Sequence, residues 1–175
     1  PIQENTPVLS QCIEMYLQTA AFIKNALPHI SQTEMLAKAF QEELNILKYS
    51  LLDVFSLMYD YRKIAKAKYG LARGKQEGIA NAFEILELLL PKETAHRFSA
   101  IFEENTQLQR ADILPFEIEK FLTFIFKEAN YSFLSWTKAV LMTEYPQYFL
   151  SKYENDKGIN DNILLKDTFE YIKNK

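Results

Sequence analysis

The sequence predicts an all-α fold, one helical bundle of about six to seven helices. The bundle is expected to form a single domain over residues 1–175, which can be a fragment of a longer chain. Three observations predict this fold. The 175 residues include only four glycines and six prolines, so the residues that tight turns require are scarce. Apolar residues, 48% of the chain, recur at helical spacing along most of its length. No stretch of useful length alternates with the two-residue period of a strand.

The first half of the chain is expected to form two helices. Thr6-Pro7 favours a helix start, because threonine is a good N-cap and proline suits the first helical position. Pro28 is expected to end this helix. The order Ser31-Gln32-Thr33-Glu34 is typical of a capping box, and no glycine or proline follows before Gly70. This predicts one long helix over roughly 32–68.

The second half is expected to contain the most apolar helix. Apolar residues resume helical spacing beyond Gly78 and continue to Pro91, which separates two further helices. The most apolar helix is expected over roughly 115–144, because Tyr145-Pro146 ends the pattern. A last helix is expected over 163–172. The two long helices are expected to lie antiparallel in the bundle.

Composition excludes several classes of protein. Cys12 is the only cysteine, which excludes an internal disulfide and the metal sites that need several cysteines. The lack of a disulfide framework favours a reducing compartment, so we expect a cytoplasmic protein. The apolar runs are far shorter than the roughly 20 residues that span a bilayer, and no membrane association is expected. No glycine-rich nucleotide-binding motif is present, and we expect no cofactor.

Catalytic and metal-binding patterns are weak. Glu93 and His96 form a Glu-x-x-His pattern, which di-metal carboxylate bundles use in pairs. A second such pattern is missing, because Ala26 stands three residues before the other histidine, His29. Neither histidine is next to a serine, a cysteine or a glycine-rich turn that would complete a nucleophilic site. We therefore expect no metal site, no catalytic residues and no enzymatic activity.

Three of the four glycines, Gly70, Gly74 and Gly78, lie four residues apart. If residues 69–78 are helical, these glycines form a smooth stripe on which another helix or a second copy can pack closely. The alternative, which the sequence leaves open and slightly favours, is a hinge or loop between two helices. Glycine inside a helix costs roughly 0.8–1.0 kcal/mol relative to alanine.

A basic segment overlaps these glycines. Six positive charges and no negative ones lie within residues 62–75, although the whole chain has a net charge of −3. The candidate contact residues are Arg62, Lys63, Lys66, Arg73 and Lys75, together with the three glycines. The cations can bind a protein partner, or they can bind nucleic-acid phosphates with support from nearby tyrosines. Nucleic acid is not favoured, because the sequence pI is about 5.5. Stabilisation of a helix C-terminus is the simplest interpretation.

Aromatic residues cover more than one face of the helix expected over 115–144. A helix that is apolar nearly all round lies in the core, so core packing is the default interpretation. The alternative is a pocket for an apolar small molecule. The candidate pocket residues are Phe121, Phe124, Tyr131, Phe133 and Trp136.

These observations together favour a non-enzymatic regulatory or protein-interaction module. We expect it to self-associate through its helices, with the glycine stripe and the adjacent cations at the contact. One alternative is a domain that binds a small apolar effector, as in some transcriptional regulators. A second alternative is nucleic-acid phosphate binding through residues 62–75.

Overall fold

A computed structural model describes residues 6–30, 34–102, 118–127, 133–154 and 156–175. Within these ranges the chain forms ten α-helices and no strand, which confirms the all-α fold. The helices are α1 (Thr6–Ile30), α2 (Glu34–Met58), α3 (Tyr61–Arg73), α4 (Gln76–Leu89), α5 (Lys92–Phe102), α6 (Ile118–Lys127), α7 (Ser135–Glu144), α8 (Pro146–Lys152), α9 (Lys157–Asn160) and α10 (Ile163–Lys173). The number exceeds the six to seven expected, because both predicted long helices are divided and the short α9 was not expected.

The helix predicted over 32–68 is wrong, because the chain leaves the helical conformation before Asp60. Asp60 has φ of −58° and ψ of 104°, and its carboxylate accepts hydrogen bonds from the N–H groups of Arg62 (3.0 Å) and Lys63 (3.2 Å). An aspartate N-cap satisfies N–H groups that the first turn of a new helix leaves unpaired. A new helix, α3, therefore begins at Tyr61 without a glycine or proline at the break.

The prediction of one helix over 115–144 is also wrong, because the described part of this range contains two separate helices, α6 and α7. Leu134 is extended, with φ of −64° and ψ of 145°, and α7 begins directly after it. The N–H of Leu134 donates to the carboxylate of Glu43 on α2, at 2.7 Å. This break depends on a residue 91 positions earlier in the chain, so local periodicity does not show it. The predicted antiparallel pair of long helices is therefore not formed.

The two longest described helices are α1 and α2, with 25 residues each. The first continues to Ile30, so the prediction that Pro28 ends it is wrong. A proline this close to a helix end removes only one of the last backbone hydrogen bonds, which limits its effect. Both helices bury apolar stripes against each other, and Phe40 and Phe55 of α2 are fully buried.

The second helix, α2, is the centre of the packing. It contacts α1, α3 and α7 directly. Further out, α3 packs on α4, and α7 packs on α10. Helix α5 contacts both α1 and α4. The buried apolar side chains form one core that extends from α1 to α10. At the surface, Arg97 of α5 binds the Glu14 carboxylate of α1 through both of its terminal nitrogens, at 2.6 and 3.0 Å. This arrangement leaves α3 and α10 at the periphery, each with one face exposed.

Candidate functional site

Gly74 lies at the turn between α3 and α4 and adopts the left-handed conformation, with φ of 66°. Its N–H donates to the carbonyl of Leu71 at 3.2 Å, which closes the end of α3. Glycine adopts this conformation without steric penalty, which is why it so often follows a helix. Gly74 therefore belongs to a connection between two helices, which is the alternative that the sequence slightly favours. The prediction of a single helical face through Gly70, Gly74 and Gly78 is wrong. We call residues 61–89 the α3–α4 hairpin.

Gly70 of α3 and Gly78 of α4 face each other inside this hairpin. A Cβ atom at Gly70 would lie 2.6 Å from the carbonyl oxygen of Gly78, and one at Gly78 would lie 3.2 Å from the carbonyl oxygen of Gly70. The absence of side chains lets the two backbones approach closely, as small residues do at other helix contacts. These two glycines therefore serve a contact within the chain, and the outer surface of the hairpin is formed by other residues.

The predicted cations all lie at the surface of the hairpin. Arg62, Lys63, Lys66, Arg73 and Lys75 are all exposed, and we call them the basic face. The guanidinium of Arg73 lies 4.7 Å from the ring centroid of Tyr69, which holds it against the helix. Lys68, the sixth cation of the segment, instead forms an ion pair with Asp53 of α2.

Charges of the opposite sign lie on the other helix of the hairpin. Glu77, Glu84 and Glu87 of α4 are exposed, and α4 contains no basic residue. We call these three carboxylates the acidic face. None of them forms an ion pair with a described residue, and neither do the side chains of Arg62, Lys63, Lys66 or Lys75. The hairpin therefore presents two adjacent charged surfaces whose charges are not neutralised within the described part of the chain.

The predicted aromatic pocket residues do not converge on one cavity. Phe121 and Phe133 are buried, and both contact the ring of Phe22 on α1, with centroid distances of 5.4 Å and 5.6 Å. Both also contact the fully buried Phe40, at 5.8 Å and 6.3 Å. Stacked and edge-to-face rings at these distances are typical of a core cluster. These two residues are therefore core residues, which agrees with the default interpretation.

The other two pocket candidates that the structure describes, Phe124 and Trp136, are not buried in this cluster, although the ring of Phe124 also contacts Phe22, with a centroid distance of 6.2 Å. Phe124 is 39% exposed and borders a shallow depression formed with residues of its own helix, α6. Tyr131 lies outside the described residues. Trp136 is 48% exposed and points to a separate groove. A pocket shared by the whole predicted set is therefore not present among the residues that the structure describes.

The groove beside Trp136 has a volume of about 640 Å³ and opens between α7, α8 and α10, next to the start of α2. We call it the α7–α10 groove. Its apolar lining includes Met35, Trp136, Val140, Leu150, Leu164 and Tyr171. Four of these remain exposed, at 53% for Met35, 48% for Trp136, 40% for Leu164 and 57% for Tyr171. They are four of the thirteen large apolar side chains that are exposed among the described residues.

Two helices form the long walls of this groove. On α7 the lining positions are 136, 139, 140, 143 and 144, and on α10 they include 164, 168, 171 and 172. This spacing places each set on one helical face. Both sets extend over eight residue steps, or about 12 Å at 1.5 Å per residue. The groove is therefore a channel slightly more than two helical turns long.

Hydrogen bonds at the helix starts fix the two walls relative to each other. The side-chain oxygen of Asn162 caps α10 by accepting from the N–H of Leu165 at 3.1 Å. Its amide nitrogen donates to the hydroxyl oxygen of Ser135, the first residue of α7, at 2.8 Å. One asparagine therefore caps one wall and joins it to the beginning of the other.

Glu43 of α2 determines where α7 begins. Its carboxylate is 1% exposed and accepts hydrogen bonds from the Leu134 N–H and from the hydroxyl of Thr137. These groups lie at the N-terminus of α7, where a negative charge is favoured by the helix dipole. Leu134 itself provides no side-chain cap, so the carboxylate of another helix takes that role. Burial nevertheless raises the pKa of Glu43 above its ordinary value, although both hydrogen bonds and the nearby Lys138 oppose the shift.

The remaining candidates from the sequence are separate from these surfaces. Glu93 and His96 are exposed on α5, and Cys12 is half-buried on α1. Among the described residues no group of three or more histidine, cysteine, aspartate or glutamate side chains is placed to hold a metal ion. The expectation that the protein is not an enzyme stays a prediction.

Comparisons with family models, with curated proteins and with solved structures give no match for this chain. Among the helices that the structure describes, none is long and apolar enough to cross a membrane. The function must therefore be inferred from the surfaces of the molecule itself.

The sequence predicts Trp136 in a pocket with aromatic residues of the 121–133 region, whereas the structure places it in the α7–α10 groove, whose other lining residues were not candidates. Met35, Leu164 and Tyr171 come from distant parts of the chain, and only tertiary packing brings them together. One signal was present in α10. Its eleven residues include Ile163, Leu164, Leu165, Phe169, Tyr171 and Ile172, which occupy more than the single face that a peripheral helix buries. The surplus apolar residues indicate a second, exposed contact surface.

Proposed function

We propose that the protein is a non-enzymatic interaction module that binds an amphipathic helix of a partner protein in the α7–α10 groove. The observation that supports this proposal is the convergence of exposed Met35, Trp136, Leu164 and Tyr171 on one groove. Exposed apolar residues are normal when they are scattered, whereas a contiguous group marks an interaction site. The regulatory role and the cytoplasmic location favoured by the sequence belong to this proposal, which involves no cofactor.

The shape of the groove favours a helix as the occupant. Helix-in-groove recognition uses apolar anchors at i, i+3 or i+4, and i+7, which extend over about two turns. The walls formed by α7 and α10 have that length, about 12 Å. Glu144 and Lys175 also line the groove, so the polar flank of an amphipathic helix would meet charges of both signs. Apolar burial would provide most of the affinity, since the large aromatic residues are the usual hot spots of an interface.

A small apolar ligand is the second candidate for the same groove. The volume of about 640 Å³ falls within the range of roughly 300–1,000 Å³ that ligand sites occupy. Such sites bury most of the ligand surface, however, and here Trp136 and Tyr171 stay about half exposed. A groove that is open along its side suits a helix, which needs cover on one face only.

The proposal is tested with a displayed library of three-turn amphipathic helical peptides. Selection on the purified protein is expected to enrich peptides with apolar residues at the i, i+3 or i+4, and i+7 positions. The affinity of an enriched, labelled peptide is then measured for two variants. Leu164→Glu places a carboxylate in the groove and is expected to weaken binding about tenfold or more. Ile163→Glu changes the adjacent residue, which is 80% exposed and does not line the groove.

Both substitutions lie in the first turn of α10, where a glutamate is favoured by the helix dipole, so neither is expected to unfold the helix. The affinity of the Ile163→Glu variant is expected to stay within about twofold of the wild type. Equal affinity of both variants would show that the peptides bind elsewhere. Enrichment of no helical peptide, together with binding of an apolar dye that Leu164→Glu abolishes, would instead establish the small-ligand function.

A further inference from the structure

The outer surface of the α3–α4 hairpin presents two rows of exposed side chains. Along α3, Arg62, Lys66, Tyr69 and Arg73 are exposed and lie at i, i+4, i+7 and i+11, which is one line along a helix. Along α4, Glu77, Asn81, Glu84 and Leu88 are exposed at the same spacing. The two helices therefore present side-by-side rows of equal length, one with three cations and the other with two carboxylates.

The charges of the hairpin are segregated by helix. Helix α3 has five basic residues and no acidic one, and α4 has three acidic residues and no basic one. Of these, only Lys68 forms an ion pair with a described residue. The same rows include exposed large apolar side chains, with Tyr69 at 59% and Leu88 at 81%. Unneutralised charge and exposed apolar area on one surface are the two properties that an interface uses.

We propose that this surface binds a second copy of the same chain, with α3 of each copy against α4 of the other around a two-fold axis. In a two-fold contact each favourable pairing occurs twice, because the same patch serves both partners. The basic face of each copy meets the acidic face of the other, and Tyr69 and Leu88 become covered. A single arrangement thus neutralises both rows of charge.

A polyanion such as nucleic acid fits the surface less well. It would be attracted to the basic face of α3 but would lie next to Glu77, Glu84 and Glu87, which repel phosphates. An unrelated acidic protein would leave the acidic face uncompensated. The second copy is the occupant whose charges complement both helices of the hairpin.

The test is a pair of complementary charge reversals. The first variant, Arg62→Glu/Lys66→Glu, places two carboxylates in the basic row of α3, where they face the carboxylates of α4 in the partner copy. The second variant, Glu84→Lys/Glu87→Lys, makes both helices basic. Each variant alone is expected to self-associate at least about tenfold more weakly than the wild type at low salt, because like charges then face each other at the reversed positions in both halves of the contact. An equimolar mixture is expected to form a heterodimer, since every α3–α4 contact again pairs opposite charges.

Association is measured by analytical ultracentrifugation, and circular dichroism checks that each variant keeps its helices. Glutamate near the start of α3 and lysine near the end of α4 agree with the helix dipoles, which protects the fold. The control is Lys157→Glu/Lys166→Glu, which changes the net charge by the same amount as the first variant at exposed positions outside the hairpin. This control is expected to associate like the wild type.

Three results would overturn the proposal. The first is a wild type that stays monomeric at low salt. The second is a pair of reversed variants that associate as strongly as the wild type, or whose mixture forms no heterodimer. The third is a wild type that binds a single-stranded oligonucleotide in place of a second copy and loses that binding in Arg62→Glu/Lys66→Glu. That last result would assign the basic face to phosphate recognition.

Discussion

At the scale of single residues, Glu43 connects the core to the proposed binding groove. Its buried carboxylate accepts from Leu134 and Thr137 and thereby fixes the start of α7, one wall of the groove. Burial raises its pKa, so the folded protein binds a proton more tightly than the unfolded chain does. The resulting stabilisation is fully present below the ordinary pKa of 4.5 and is lost as the pH rises through the raised pKa.

This linkage predicts a difference between the wild type and Glu43→Gln. The free energy of unfolding of the wild type should fall relative to that of the variant between pH 4 and pH 7.5, by about 1.4 kcal/mol for each unit by which the pKa is raised. Glutamine can accept from the Leu134 N–H and donate to Thr137, so it retains the helix start. Urea denaturation across this pH range provides the measurement. Parallel stability curves for the two proteins would contradict the raised pKa.

At the scale of elements, the α3–α4 hairpin depends on the close approach of Gly70 and Gly78. An alanine at Gly70 would place its Cβ 2.6 Å from a backbone carbonyl oxygen, which cannot rotate away as a side chain would. We expect Gly70→Ala to lower the free energy of unfolding by about 1–3 kcal/mol, as overpacking does. This loss should occur despite a gain of roughly 0.8–1.0 kcal/mol in helix propensity.

Thermal or urea denaturation measures this change, and Gly78→Ala provides a graded comparison. There the added Cβ would lie 3.2 Å from the Gly70 carbonyl oxygen, so a smaller loss is expected. A Gly70→Ala variant that is as stable as the wild type would show that the two helices separate without cost. The glycines would then not be the reason for the close contact.

At the scale of the whole molecule, the two proposed surfaces lie at opposite ends of α2. Met35 in the second position of α2 lines the groove, whereas Lys68 of the hairpin pairs with Asp53 near the other end. Eighteen residues separate positions 35 and 53, which corresponds to about 27 Å along the helix. Sites this far apart that share no contact are expected to act independently.

Independence predicts that Arg62→Glu/Lys66→Glu binds a groove peptide with an affinity within about twofold of the wild type. Peptide binding is measured by fluorescence anisotropy in conditions where the wild type is associated and the variant is not. A tenfold difference would mean that the groove and the hairpin are coupled through α2, and that the association of two copies regulates the groove.

The sequence predicted the features that depend on local chemistry. The helical class follows from scarce glycine and proline, and the exposed cations of α3 follow from their spacing. The sequence did not predict the ends of the two long helices, because Asp60 is a polar cap within an otherwise helical pattern and Leu134 is held by Glu43 from another helix. The glycine spacing predicts close helix packing. Because Gly74 forms a left-handed turn, this packing occurs between α3 and α4 of the same chain and not with a second copy. The sequence assigned Trp136 to a different aromatic pocket, because Leu164 and Tyr171 reach it only through tertiary packing.

Trp136 offers the most direct test of peptide binding in the α7–α10 groove, because it is the only tryptophan of the chain. The measurement is its emission spectrum during titration with a library-selected helical peptide that contains no tryptophan. We predict a shift to shorter wavelength that saturates with the same affinity as the anisotropy titration, because the bound helix would exclude water from a ring that is 48% exposed. Saturated peptide binding with an unchanged Trp136 spectrum would contradict the proposed role of the groove, since the peptide would then occupy another surface.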